Sequence, residues 1–251
     1  ASMLPVDRTY SVSAMIATGG FSNVYLGLCH DTGELICLKQ PAARSTADTA
    51  ALEAEVAMLR TLDHPNIVKY LGTDRSGTFT ILLEYVPGGS IASLLGHFGP
   101  MPEPVLCRYL WQVLCGLQYL HDRDVIHRDI KGANILVSDK GQVKLTDFGS
   151  SISALGSGDV HRLLLGTVLW MAPEVCRQEP EQDLKSSDIW SLGCTILQMA
   201  TARVPWDERQ FENSIAAFFH IALTTKPPKI PSELPERVAA IAMQCLQLPD
   251  R

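Results

Sequence analysis

Apolar residues follow two different periods along this chain, and the change falls near residue 87. Ahead of it lie short runs separated by turn residues: Tyr10 to Ile16, Val24 to Cys29, Leu35 to Lys39, Val68 to Gly72 and Phe79 to Glu84. Runs of this length and composition predict β-strands. One segment interrupts them. From Thr49 to Leu62, the residues Leu52, Val56 and Leu59 recur at four and three, a single helical stripe. Beyond Pro87-Gly88-Gly89 the pattern turns mainly helical. Leu106, Tyr109, Leu110, Val113, Leu114, Leu117 and Leu120 sit at helical spacing between Glu103 and Asp122, behind the start signals Pro102 and Pro104. A second helix is expected from about Ser187 to Ala202. The pattern predicts an α+β chain with two lobes. The first is small, β-rich and carries one helix; the second is larger and mainly helical, and a ligand cleft is expected between them.

Composition narrows the class. The chain has 251 residues, 46% of them hydrophobic, enough to fill a substantial core. A net charge of −6 gives no reason to expect nucleic acid or an acidic membrane surface as a partner. No apolar run approaches membrane-spanning length, so no membrane insertion is expected. The seven cysteines are scattered without C-x-x-C spacing, the pattern of reduced thiols in a cytoplasm or nucleus. The start Ala-Ser-Met and the stop at Arg251 suggest a piece of something larger, with the second lobe short at its C-terminal end.

The chemistry concentrates in two segments: His127-Arg128-Asp129-Ile130-Lys131-Gly132-Ala133-Asn134 and Asp147-Phe148-Gly149. They resemble the catalytic loop and the metal-binding loop of eukaryotic protein kinases. The resemblance implies a two-lobed kinase fold over 1–251, with an antiparallel β lobe at 1–86 and a helical lobe at 87–251. It implies ATP as phosphoryl donor and Mg²⁺ as cofactor. Asp129 would orient and deprotonate a hydroxyl, Lys131 would neutralise charge on the moving phosphoryl, and Asn134 and Asp147 would hold the metal.

Other segments follow in family order. Ile16-Ala17-Thr18-Gly19-Gly20-Phe21-Ser22-Asn23-Val24 resembles the glycine-rich loop, with Ala17 and Ser22 standing where the family has its first and third glycines. Taken alone it is an ordinary hairpin turn. The departure at Ser22 is expected to weaken phosphate contact without abolishing it. Lys39 ends a strand resembling V-A-I-K, and would contact the α- and β-phosphates while pairing with a helix glutamate. Glu53 and Glu55 compete for that place; family spacing and the apolar stripe favour Glu55. Leu83-Glu84-Tyr85-Val86 resembles the hinge. There the Glu84 carbonyl and Val86 amide would bind the adenine edge, behind Leu83 as gatekeeper, with Ile16, Val24, Cys37 and Leu136 on the purine faces. Cys37 takes a position where alanine is usual.

Gly166-Thr167-Val168-Leu169-Trp170-Met171-Ala172-Pro173-Glu174 resembles the end of an activation loop. Thr167 would contact Asp129 and Lys131. Asp188 would brace the catalytic-loop backbone, and Arg251 would pair with Glu174. Lys131 with Thr167 is the serine/threonine pattern, and Lys131-Gly132-Ala133-Asn134 with Trp170-Met171-Ala172 looks like MAP kinase kinase kinases or the neighbouring sterile-type kinases. The partners this implies are a protein substrate such as a MAP kinase kinase and an activating kinase. That activator is upstream or a second copy acting in trans on the loop serines Ser150, Ser151, Ser153 and Ser157. Arg128 would capture the phosphate. The altered glycine loop supports one alternative, a pseudokinase scaffold that binds partners without efficient transfer.

Overall fold

A computed structural model describes residues 9–19, 22–42, 46–150, 168–178 and 184–248. Thr167, Arg251 and the loop serines from Ser151 onward lie outside the described residues, so the expectations placed on them have no structural counterpart. The chain divides into two compact units, Ala1–Pro87 and Gly88–Arg251. No helix among the described residues is long and apolar enough to cross a membrane.

The first unit is built on five antiparallel strands in the order β1-β2-β3-β5-β4. They are β1 (Tyr10–Thr18), β2 (Ser22–Cys29), β3 (Leu35–Pro41), β4 (Tyr70–Asp74) and β5 (Thr80–Glu84), with helix α1 (Thr46–Leu59) between β3 and β4. Side chains alternate across the sheet. Ile36 and Leu38 therefore pack on one face, in a cluster with Cys29 and Leu82, while Cys37 and Lys39 point to the other. The α1 stripe is buried at Leu52, Val56 and Leu59, and the helix lies against β3. Strand β4 begins at Tyr70, two residues later than the apolar run suggests. The cause is local: the Glu84 carboxylate accepts the Lys69 backbone N–H at 2.6 Å, and a register shift follows between Tyr70 and Gly72. The sheet curls enough for its two edge strands to meet, because the Tyr10 hydroxyl on β1 donates to Asp74 on β4 at 2.6 Å.

The second unit contains α2 (Ile91–Phe98), α3 (Glu103–His121), the hairpin β6 (Ile135–Val137) and β7 (Val143–Leu145), α4 (Pro173–Arg177), α5 (Leu184–Thr201), α6 (Ser214–Leu223) and α7 (Glu236–Cys245). Ser90 caps α2 through the Ser93 N–H, and Asn213 caps α6 through the Ala216 N–H. Helix α5 is buried nearly all round, with Trp190, Leu192, Cys194, Ile196 and Met199 each at most 2% exposed, so it is the core around which α3 and α7 pack. Gly193 permits the close approach to α7, since a Cβ there would lie 2.7 Å from Leu246.

Candidate active site

In the first unit, strand register gathers the expected nucleotide residues onto one face. Val24 pairs with Lys39, Cys37 with Leu83, and Lys39 with Ile81. Cross-strand partners point the same way, so Val24, Cys37, Lys39 and Leu83 share one face of the sheet. Ala17 pairs with Val24, and Ile16 falls at a register shift in β1. Gly19 closes the β1–β2 turn by donating to the Ser22 carbonyl at 2.7 Å. A Cβ at Gly19 would meet nothing closer than 3.5 Å, so the turn by itself does not require glycine there.

Lys39 and Glu55 are both buried, and the ammonium donates to both carboxylate oxygens at 2.7 Å. Glu53 points elsewhere and pairs with Arg75 in solvent. A buried pair of this kind costs desolvation that its attraction only partly offsets, which makes it a weak stabiliser and a better candidate for a functional role. Cys37 is partly buried, and burial pushes its thiol up to about 11. Most of its reactivity is thereby lost, because the thiolate is the nucleophile. Val86 is buried at the end of the unit and Glu84 is half-buried.

In the second unit, a polar network holds the other set. Asp129 Oδ2 accepts from Lys131 Nζ at 2.9 Å and from Asn134 Nδ2 at 2.7 Å. The same Asn134 nitrogen donates to the Asp129 carbonyl at 2.9 Å. Asp129 Oδ1 is buried and finds no hydrogen-bond partner among the described residues. Among the described residues, therefore, only one of the two carboxylate oxygens is held. Asn134 spends its amide nitrogen on Asp129, which leaves Oδ1 as the end suited to a hard cation.

The loop carrying these groups is fixed from beneath by Asp188, which is fully buried. Its carboxylate accepts the backbone N–H groups of His127 and Arg128 at 2.9 and 2.8 Å, and meets His121 Nε2 at 2.8 Å. This grip holds Arg128 at φ +65°, a conformation costing roughly 1–3 kcal/mol for a non-glycine residue. Asp147, just after the hairpin, is also left-handed, at φ +66°. His127 Nε2 donates to the Thr146 carbonyl at 3.0 Å, while Nδ1 accepts from the Asp129 N–H at 3.3 Å, so the ring fastens the catalytic segment to the residue before Asp147. The Thr146 N–H closes the link by donating to the Asn134 carbonyl at 3.0 Å. Leu136 lies on β6 between these two segments.

The hairpin and loop also depend on residues that motif reading passes over. Gln198 on α5 accepts from the Gly132 N–H at 3.1 Å, and a Cβ at Gly132 would lie 2.6 Å from the same Gln198 oxygen. Gln112 on α3 accepts from Val143 at 2.9 Å and donates to the Gly141 carbonyl at 3.1 Å. Gln198 is 9% exposed on the otherwise apolar helix α5, and neither its burial nor its partner can be read from the sequence.

Among the described residues, no group of three or more His, Cys, Asp or Glu side chains is placed to hold a metal ion. The side chains of Asn134 and Asp147 carry oxygens of the kind a hard cation such as Mg²⁺ takes, the rest of whose shell is usually phosphate and water.

The pattern of a family described as "Protein kinase domain" matches residues 10–250. The chain is 46% identical over 243 residues to mitogen-activated protein kinase kinase kinase 3 of Arabidopsis thaliana, covering 92% of this chain and 37% of that protein. It is 44% identical over 243 residues to mitogen-activated protein kinase kinase kinase A of Dictyostelium discoideum, covering 93% and 25%. It is 38% identical over 254 residues to human mitogen-activated protein kinase kinase kinase 1, covering 96% and 17%. The chain therefore spans well under half the length of each of these relatives.

Proposed function

This chain belongs to the protein kinase domain family, and we propose that it transfers the γ-phosphate of ATP to serine and threonine hydroxyls of a protein, with a MAP kinase kinase as its substrate. The family uses ATP and Mg²⁺. The observation that carries the reading is the split carboxylate of Asp129. Its Oδ2 is held by Lys131 and Asn134, while its buried Oδ1 has no partner among the described residues. An unsatisfied buried acceptor costs about 1–3 kcal/mol. A substrate hydroxyl donating to Oδ1 would remove that cost and be oriented by it.

The residues divide the work without covalent chemistry. Asp129 aligns the hydroxyl and takes its proton as the new bond forms. Lys131 stabilises charge on the transferring phosphoryl. Asn134 Oδ1 and the Asp147 carboxylate would hold Mg²⁺, which would supply charge neutralisation to the phosphates. Lys39, oriented by Glu55, serves the α- and β-phosphates. The absence of a Cβ at Gly19, which the turn does not itself require, suits close backbone approach to a phosphate. Ile16, Ala17, Ser22, Val24, Cys37, Leu83 and Leu136 would line the nucleotide, with the Glu84 carbonyl and Val86 amide on the adenine edge. Thr167 would steady Asp129 and Lys131.

The same reading proposes control by loop phosphorylation, by an upstream kinase or by another copy in trans, in a cytoplasmic or nuclear setting. Arg128 supports it: its Nε is buried without a partner among the described residues, as expected of a cation kept for an anion. The substrate assignment rests on the similarity to the plant, slime-mould and human relatives. Its test is incorporation of labelled γ-phosphate from Mg-ATP into a MAP kinase kinase, followed by phosphoamino-acid analysis. Label on serine or threonine, and faster transfer to that protein than to casein, is the expected result; label on tyrosine or no preference would contradict it.

A further inference from the structure

The second unit carries a surface cavity of about 460 Å³, lined by Arg108, Trp111 and Gln112 of α3 and by Lys140, Gly141 and Gln142 of the turn joining β6 to β7. None of these residues takes part in the catalytic set. Of the four tryptophans, Trp170, Trp190 and Trp206 are 2–7% exposed, whereas Trp111 is 67% exposed and forms a wall of this concavity. Arg108 and Lys140 are also exposed, and neither side chain makes an ion pair or hydrogen bond with a described residue. No acidic residue lines the cavity; Asp139, next to Lys140 in sequence, is exposed but not part of the lining.

We propose that this cavity docks an acidic segment of a partner protein, with an apolar side chain seated on Trp111 and carboxylates meeting Arg108 and Lys140. Charge selects the occupant. The chain as a whole carries −6, so its net charge disfavours an acidic segment, while these two cations, without partners among the described residues, attract one within a Debye length of about 8–10 Å. Aromatic and arginine side chains are the residues that most often anchor protein interfaces. The site is also preorganised. Gln112 ties α3 to the hairpin turn through Val143 and Gly141, and Gly141 is held at φ +71°, where a side chain is disfavoured. Both walls are therefore in place before anything binds, which limits the ordering cost of association.

The experiment uses a fluorescein-labelled nonapeptide of aspartate and glutamate around a central Leu-Phe pair, and a matched peptide with lysine at each acidic position. Binding is read by anisotropy, and occupancy of Trp111 by iodide quenching of tryptophan fluorescence, to which the three buried tryptophans contribute little. The expected result is binding of the acidic peptide alone, weakened by salt, with Trp111 protected from iodide. Arg108→Glu combined with Lys140→Glu should weaken binding about tenfold or more, and Trp111→Ala should do likewise, with phosphoryl transfer to casein unchanged in both. Equal affinity for the charge-reversed protein, equal binding of the lysine peptide, or no binding up to about 1 mM would overturn the proposal. So would self-association abolished by the same substitutions in sedimentation, since the face would then pair two copies of this chain.

Discussion

At the residue scale, the site depends on groups whose environments were shaped for a task and not for stability. Asp188 serves three donors at once and keeps Arg128 in a left-handed conformation. Asp188→Ala should leave two buried N–H groups without acceptors and release the Arg128 backbone, costing roughly 3–5 kcal/mol. Thermal denaturation should register that loss, and a change under about 1 kcal/mol would mean that water replaces the carboxylate. Cys37 makes a second prediction. With its thiol pushed up to about 11, its thiolate fraction at pH 7.5 is roughly 300-fold below that of an ordinary cysteine. Iodoacetamide should label it more than a hundredfold slower than glutathione; equal rates would refute the burial account. Both residues were legible in the sequence as positions, and neither as an environment, because environment comes from neighbours far along the chain.

At the element scale, local pattern gave the five strands of the first unit and the helices α1, α3 and α5, while tertiary contacts set their boundaries. The apolar stripe at Leu52, Val56 and Leu59 marks α1 correctly, yet the helix runs Thr46–Leu59 and not to Leu62. β4 is displaced because the Glu84 side chain competes for the Lys69 N–H. Helices α2, α6 and α7 are 8–10 residues long and were not separated by periodicity, since two or three turns carry too few apolar positions to define a stripe. The contact between Gly132 and Gln198, 66 positions apart, was equally invisible. Gly132→Ala should destabilise by about 1–3 kcal/mol through overpacking. Gln198→Ala should relieve the clash while losing a hydrogen bond, so the double variant should fall short of the sum of the single ones; strict additivity would disprove the contact. The edges of the sheet supply a pH test. The Asp74 carboxyl is held below its ordinary range chiefly by the Tyr10 hydroxyl, with Ser76 adding to it. A lowered folded-state pKa stabilises above the unfolded value of about 3.9 and ceases to do so as pH falls through the folded one. Tyr10→Phe should therefore lower Tm at pH 7, and the difference from wild type should shrink below about pH 4. A difference that persists undiminished at pH 2 would show that the bond does not couple to Asp74 ionisation.

At the scale of the whole molecule, each of the two units carries part of the proposed catalytic set. The first holds Lys39 paired with Glu55 on a strand face, and the second holds Asp129, the proposed base, with Lys131 and Asn134 on a loop braced by Asp188 of the core helix α5. Family order along the sequence singles out these residues as candidates, because phosphoryl transfer calls for such groups in fixed local motifs. It could not reveal Gln112, Gln198 or the Trp111 cavity, which arise only where distant segments meet. Asp129 is the residue proposed to orient and deprotonate the acceptor hydroxyl. The most direct test compares single-turnover phosphoryl transfer from Mg-ATP in wild type and Asp129→Asn, with nucleotide Kd and Tm measured on both. The account predicts a fall of about 10²–10⁴ in the transfer rate, with nucleotide affinity and Tm nearly unchanged. Transfer within about threefold of wild type, in a folded variant that binds nucleotide normally, would contradict it.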